Sequence, residues 1–462
     1  MKNNFFRKGI LFIGCILIFN TNYGQILTRF YSSKELGHFG IHKPKNSITN
    51  KVLPSIDLKR ILREDSIEMN AGVPFRFGKD IDVDIDIIKE GSRENRGDTI
   101  IIYYQVSSKG AYSLNFIFDK FFLNENTSLK IYDLDQSILY GPISSKENPK
   151  NGILWTDLIK GQNSIIEVSV IGGNIEGNNL HISKVIHAYK NVFSGFGQSA
   201  WCNRDIACPE GNNWHGAADA VAMLLLSDGS RFCSGSLLNN TLQDFTPYFL
   251  TAFHCVDTQT ADGTLSAGEK SAVNNWVFRF RYESATCGGG DGTTYMTLNG
   301  SYFRAAYQPS DFALLELYYH PGYMQGISFA GWSTSGAPAT SAACIHHPAG
   351  DVKKISIDSD PLTNVNITTT WQTYPYLLTC PPNTHWASVF NTGTVQPGSS
   401  GAPIFDQNYR VVGQLHGDYL NDGQYCVNRR GQFGRFDVSW TGGGTNDTRL
   451  SNWLTHIAAL GL

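Results

Sequence analysis

Residues 249–255 read FLTAFHC. Aromatic, apolar and β-branched residues run up to His254, and Cys255 follows at once. A short run of this composition is the pattern of a strand, so Tyr248–Ala252 is expected to be one. Working outward, Ala220–Leu226 and Arg231–Leu238 flank the turn Ser227-Asp228-Gly229, the signature of a hairpin. Further strands are expected at Asn275–Tyr282, Phe312–Leu317, Pro403–Phe405 and Arg410–His416. Many short strands punctuated by turn residues favour a barrel or sandwich over a helical fold. Leu450–Ala459 is the one stretch that reads as a helix.

The same grammar continues upstream. Thr99–Ser107, Ser113–Leu123, Ser128–Leu134, Ser164–Val170 and Leu180–Tyr189 are rich in β-branched and aromatic residues, with Gly, Asn and Asp between them. Together they predict a β-sandwich of roughly 100 residues. Residues 25 to about 75 are mixed and polar. The segment Asn191–Ala200 (NVFSGFGQSA) is small and Gly/Ser-rich and reads as a linker. The expected fold is therefore all-β, with a sandwich over 25–196 and a second, larger unit over 197–462.

The first 24 residues have a different character. Lys2, Arg7 and Lys8 precede an apolar run from Gly9 to Phe19, and a polar tail ends at Gly24. That is the layout of a secretory signal peptide, and the run is too short to span a bilayer. No later segment is long and apolar enough to cross a membrane. Export, to the extracellular space or the periplasm, changes the meaning of cysteine. Setting Cys15 aside, the remaining cysteines all lie after residue 200, and their number is even. An even set in an exported chain points to disulfides. No Cys-x2-Cys pair suggests a metal site, and no cofactor motif is present. The formal net charge of −3 gives no reason to expect a nucleic acid partner.

Three stretches carry candidate chemistry. One is His254 at the end of FLTAFHC. Another is PSDFALLEL (309–317), where Asp311 precedes an alternating apolar strand. The third is QPGSSGAPIF (396–405), where Ser399 and Ser400 lie between glycines. A serine hydroxyl needs a base to take its proton, and the base needs an acid to fix its tautomer. The chain supplies them in the order His, Asp, Ser, which is the chymotrypsin order and not that of subtilisin or the α/β-hydrolases.

The sequence resembles the trypsin-like serine proteases at LTAFHC, SDFALLEL and GSSGAP. More narrowly it is similar to the bacterial lysyl endopeptidase branch at CPEG (208–211), CSGSLLNN (233–240), IHHP (345–348), QPGSSGAPIFD (396–406), GQLHG (413–417), GQFGRF (431–436) and SWTGGG (439–444). The resemblance covers about residues 197–455. It implies a two-barrel chymotrypsin-like protease domain with a C-terminal helix. It also implies a secreted serine endopeptidase, made as a proenzyme, that hydrolyses peptide bonds through an acyl-enzyme. Ser400 would be the nucleophile, His254 the general base and Asp311 its orienting acid. The N–H groups of Gly398 and Ser400 would form the oxyanion hole. His416 and Gly417 would line the substrate cleft, although a core histidine is the competing reading of His416. The disulfides implied are Cys202–Cys426, Cys208–Cys287 and Cys233–Cys255. Cys344 and Cys380 lie outside the family pattern and are expected to pair with each other. Partners would be protein or peptide substrates and the chain's own propeptide.

Two departures bear on specificity. Where lysyl endopeptidases carry an acid for the substrate lysine, this chain has Gly431, preceded by Arg429 and Arg430. A buried ammonium without a counter-charge is costly. Asp418 or Asp422 is then the source of that charge, or the pocket accepts a neutral or acidic side chain. The residue before the nucleophile, an Asp in many trypsin-like enzymes, is Ser399, so activation is not expected to use an ion pair there. The competing reading of the whole chain is a secreted binding or adhesion protein on an inert protease fold.

Overall fold

The computed structural model describes residues 25–31, 41, 44–70, 74–193, 199–226, 229–290, 294–321, 326–372, 376–418 and 423–455. The signal segment, the centre of the linker, Asp422 and the end of the chain lie outside them.

The architecture is all-β. In the N-terminal half, Thr99–Ser107, Asn163–Ile171, Thr127–Asp133 and Ile138–Ile143 form one antiparallel layer. Ser113–Phe122, Asn179–Ala188 and Gly78–Asp86 form the other. Alternating apolar residues fill the space between them, including Phe116, Phe118, Ile131, Val168, Ile182 and Val185. Five predicted strands recur within a residue or two of their expected ends. The polar stretch 25–75 is more structured than its composition implied. Gln25–Phe30 is a strand and Leu58–Asn70 a helix, so the C-terminal segment is not the sole helix. The helix is held from outside, because Arg76 donates to Asp65 at 2.8 Å and pairs with Glu64 and Glu68.

The C-terminal half contains two barrel-like sheets. In the first, Thr294–Asn299, Val277–Phe280, Val221–Leu225, Arg231–Leu238, Tyr248–Ala252, Phe312–Leu317 and Ser301–Tyr307 pair in that order, all antiparallel. In the second, Lys354–Asp358, Ala342–His346, Pro403–Asp406, Val411–Gly417, Arg430–Arg435 and His385–Val389 follow one another. The expected helix at 450–459 is a single turn, Ser451–Leu454, and residues 456–462 lie outside the described residues. A second short helix, Phe436–Thr441, precedes it.

Gln25–Phe30 joins the halves. It pairs with Ile138–Ile143 of the sandwich on one edge and with Thr294–Asn299 of the first barrel on the other. Among the described residues this makes one continuous 15-stranded sheet. Phe77 stacks on Phe232 of the barrel at 4.2 Å. Arg279 of the barrel pairs with Asp157 of the sandwich, its Nε donating to Oδ2 at 3.1 Å, and both side chains are buried. The guanidinium lies against the rings of both Tyr282 and Tyr295. One hydrophobic core runs across this seam.

Candidate active site

The strand Tyr248–Ala252 ends in one helical turn, Phe253–Val256, which lifts His254 off the sheet. Its cross-strand partner supplies the acid, because Ala252 faces Phe312 in register. Asp311, just before Phe312, adopts a left-handed backbone (φ 53°) after the turn Gln308–Ser310. Such a conformation is uncommon outside glycine and is often found at functional positions. Its carbonyl accepts from Phe253 N–H at 2.8 Å. Its carboxylate takes two donors from one residue, His254 N–H at 3.0 Å and His254 Nδ1 at 2.9 Å. Burial raises the Asp311 carboxyl above its ordinary range, and the neighbouring His254 opposes that shift.

Ser400 reaches the same place from the second barrel. Its carbonyl accepts Ser234 N–H at 2.8 Å and lies 4.0 Å from Cys255 Sγ. The disulfide Cys233–Cys255 joins the neighbours of Ser234 and His254, so one staple holds both supports of the serine loop. Gly398 has φ +96°, and a Cβ there would lie 3.0 Å from Ala349 N. Gly401 has φ +80°, and a Cβ would lie 2.5 Å from Ser234 O. Glycine is therefore required at both positions. Among the described residues no protein group accepts from the N–H of Gly398 or Ser400. In the same set, His254 Nε2 and the Ser400 hydroxyl have no protein hydrogen-bond partner. Catalytic contacts of this kind often tighten only with substrate.

Ser399 is buried, and its hydroxyl meets His346 Nδ1 at 2.7 Å. The direction follows from the next link. Ser356 donates to Thr394 O, so it accepts from His346 Nε2, at 3.1 Å, and His346 Nδ1 accepts from Ser399. A neutral histidine thus occupies the place where a charge pair would be needed. Burial holds its pKa down at about 3.

His416 is half-buried and packs beside His254. Its ring stacks on Trp371 at 3.7 Å and on His254 at 5.4 Å. Its Nδ1 lies 3.0 Å from His385 Nε2, 3.8 Å from Asp311 Oδ2 and 4.0 Å from Cys380 Sγ. Burial, then His385 and His254, hold its pKa well below the ordinary value. Gly417 lies under Trp371, where a Cβ would be 3.2 Å from the ring. Gly431 is buried by apolar neighbours, and a Cβ would lie 3.1 Å from Leu415 and Phe433. Asp418 is engaged by Arg430, whose Nε donates at 2.8 Å.

Cys202–Cys426, Cys208–Cys287 and Cys233–Cys255 are bonded. The expected Cys344–Cys380 bond is not formed, and both thiols are free and buried. Cys344 sits mid-strand in the second barrel, paired in register with Ser356 and Ile404. Cys380 instead ends the hairpin Thr369–Gln372/Leu377–Cys380 and faces His416. The two occupy different packing environments, which an even cysteine count does not reveal.

A sequence model of the family described as "Lysyl endopeptidase, C-terminal domain" matches residues 196–431, half of the chain. The chain belongs to the lysyl endopeptidase family. A curated relative, the lysyl endopeptidase of Pseudomonas aeruginosa, is 27% identical over 297 residues. The match takes in 59% of this chain and spans 59% of that relative's length. Among solved structures, the Rv3671c protease of M. tuberculosis in its active form aligns at a TM-score of 0.32 and 15% identity, covering 49% of this chain and 82% of that one. The inactive form aligns at 0.30 and 14%, covering 47% and 84%. The motifs that hold His254, Asp311 and the serine loop come together at this place in the fold. Trp371 and His385 lie in a hairpin and a strand that match none of the family motifs, and Cys380 read only as half of a disulfide.

Proposed function

We propose that this member of the family is a secreted serine endopeptidase, made as a proenzyme, with His254, Asp311 and Ser400 as its triad. The observation that carries the reading is the double contact of the Asp311 carboxylate with His254 N–H and Nδ1, beside the Ser400 loop. Asp311 fixes the tautomer with the proton on Nδ1 and leaves Nε2 free to take the Ser400 proton. Ser400 Oγ then attacks the substrate carbonyl, and the N–H groups of Gly398 and Ser400 receive the developing oxyanion. His254 returns the proton to the leaving amine, the acyl-enzyme forms, and water repeats the sequence to release the acid. The buried carboxylate stabilises the transient imidazolium.

The N-terminal half serves this protease as a folding support. Its contacts include Thr294–Asn299, Val277–Phe280, Arg231, Phe232 and Tyr319, and among the described residues none engages His254, Asp311 or Ser400. A cut at the 196/197 boundary leaves Ser199 bonded to Asp351 at 2.5 Å and Ala200 N–H to Gln396 at 2.6 Å. The pocket at Gly431 favours uncharged side chains at the cleavage position, since its neighbours are apolar and Asp418 is already paired. Ser400→Ala tests the function: hydrolysis should fall by roughly 10⁶ with the unfolding transition unchanged. Undiminished hydrolysis by that variant would discard the triad. Mapping the parent's cleavage sites in a denatured proteome reads the pocket, and strict cleavage after lysine would overturn the neutral-pocket reading.

A further inference from the structure

We propose that Cys380, His385 and His416 form a binding site for a borderline or soft d¹⁰ cation, Zn²⁺ in the first instance, whose occupancy switches off the adjoining His254–Asp311 pair. The binding half stands on its own, while the switching half rests on the roles proposed above for those two residues.

The three ligand atoms all lie within 4.8 Å of one another. His416 Nδ1 is 3.0 Å from His385 Nε2 and 4.0 Å from Cys380 Sγ. A tetrahedral zinc ion with Zn–N of about 2.0–2.1 Å and Zn–S of about 2.3 Å needs ligand separations of roughly 3.3–3.7 Å. The observed spacings straddle that range, so small side-chain rotations suffice. Thiolate with imidazole is the donor set that selects zinc and its softer relatives over Mg²⁺ or Ca²⁺.

One ligand is already oriented. Thr384 donates its hydroxyl proton to Pro381 O at 2.7 Å. It can therefore only accept from His385 Nδ1, at 2.9 Å. That fixes the His385 proton on Nδ1 and aims the bare Nε2 at the cluster. Outer partners of this kind recur around metal-bound histidines. Cys380 belongs to none of the three disulfides and is buried beside the imidazoles.

The site touches the triad through one carboxylate. Asp311 Oδ2, the atom that holds His254 Nδ1, lies 3.8 Å from His416 Nδ1. A cation bound at His416 Nδ1 offers this oxygen a competing positive charge or a fourth coordination position. On binding, the Cys380 S–H bond breaks and the sulfur electron pair goes to the metal. His416 moves its proton from Nδ1 to Nε2, so one proton is released overall. His254 then loses the partner that fixes its tautomer.

The test is a Co²⁺ titration of the full-length protein, followed by the near-ultraviolet thiolate-to-cobalt absorption band, with Zn²⁺ displacing the cobalt. One equivalent should saturate the band. Cys380→Ser should abolish it, and His385→Gln should weaken binding at least tenfold. Cys344→Ser, which removes the other free thiol, should titrate like the parent. Unfolding midpoints of the metal-free variants guard against misfolding. In parallel, Zn²⁺ should inhibit peptide hydrolysis over the range in which it displaces cobalt, with recovery on chelation. Inhibition of Cys380→Ser should need at least ten times more Zn²⁺. No band in the parent, or equal titration of all variants, overturns the site. A band without inhibition of an active enzyme overturns the switch. A band in a protein that hydrolyses nothing preserves the site and counts instead against the endopeptidase reading.

Discussion

The seam between sandwich and first barrel and the cleft between the two barrels are built from opposite materials. At the seam, Phe77 lies flat on Phe232, a strand is inserted edge to edge, and a charge contact, Arg279 with Asp157, is wholly buried and flanked by tyrosine rings. At the cleft, three histidines, a carboxylate and a thiol stand within a few ångströms, and the Ser400 hydroxyl has no protein partner among the described residues. Close apolar packing and a paired buried charge hold a junction together. Side chains with proton and lone-pair capacity in reserve make a site reactive, and the surrounding scaffold has to hold them.

The contrast predicts a separation of effects. The largest belongs to the cleft. Asp311→Asn keeps the size of the side chain but favours the wrong His254 tautomer, so turnover should fall by about 10⁴. Steady-state kinetics with a thermal melt check this, and a loss below tenfold would remove Asp311 from the mechanism. At the seam the sign reverses. Arg279→Met strands the Asp157 carboxylate in an apolar interior and should destabilise the fold by about 3–5 kcal/mol, with kcat per folded molecule unchanged. Chemical denaturation measures this, and adding Asp157→Leu should recover much of the loss. A seam variant that altered kcat while leaving stability intact would erase the distinction between the regions.

A smaller effect tests the Ser399–His346 link. The buried imidazole has a pKa of about 3 in the folded chain, against the ordinary 6.5 once unfolded. The folded ring stays neutral while the unfolded ring takes a proton, so its contribution is complete above the unfolded value and is lost as pH falls toward 3. Between about pH 6.5 and pH 4.5 this amounts to roughly 2–3 kcal/mol. His346→Asn should shrink the acid-induced loss of stability by that amount, measured as the difference between melts at the two pH values. An unchanged difference would mean that the ring is not held neutral.

Much of this was legible in the sequence for physical reasons. Short runs of apolar, β-branched and aromatic residues bounded by turn residues mark buried strands, so the sandwich strands and the barrel strands Tyr248–Ala252 and Phe312–Leu317 could be read directly. The serine loop was legible because positive φ at Gly398 and Gly401 excludes other residues. What escaped depends on neighbours distant in sequence. Gln25–Phe30 is a strand because two sheet edges await it, and Leu58–Asn70 is a helix anchored by Arg76. Cys380 and Cys344 look alike as letters, but one lies beside His416 and the other within a barrel. The role of Gly431 could be posed but not resolved from the sequence, since Arg430 reaches Asp418 only in the folded chain.

The central claim is that His254 activates one particular hydroxyl. Labelling with a serine-directed phosphonate, followed by peptide mass mapping, tests it most directly. The adduct should fall on Ser400 alone, and His254→Ala should slow its formation by orders of magnitude while the melting temperature holds. An adduct on Ser399 or elsewhere, or labelling of Ser400 at an undiminished rate in His254→Ala, would contradict it.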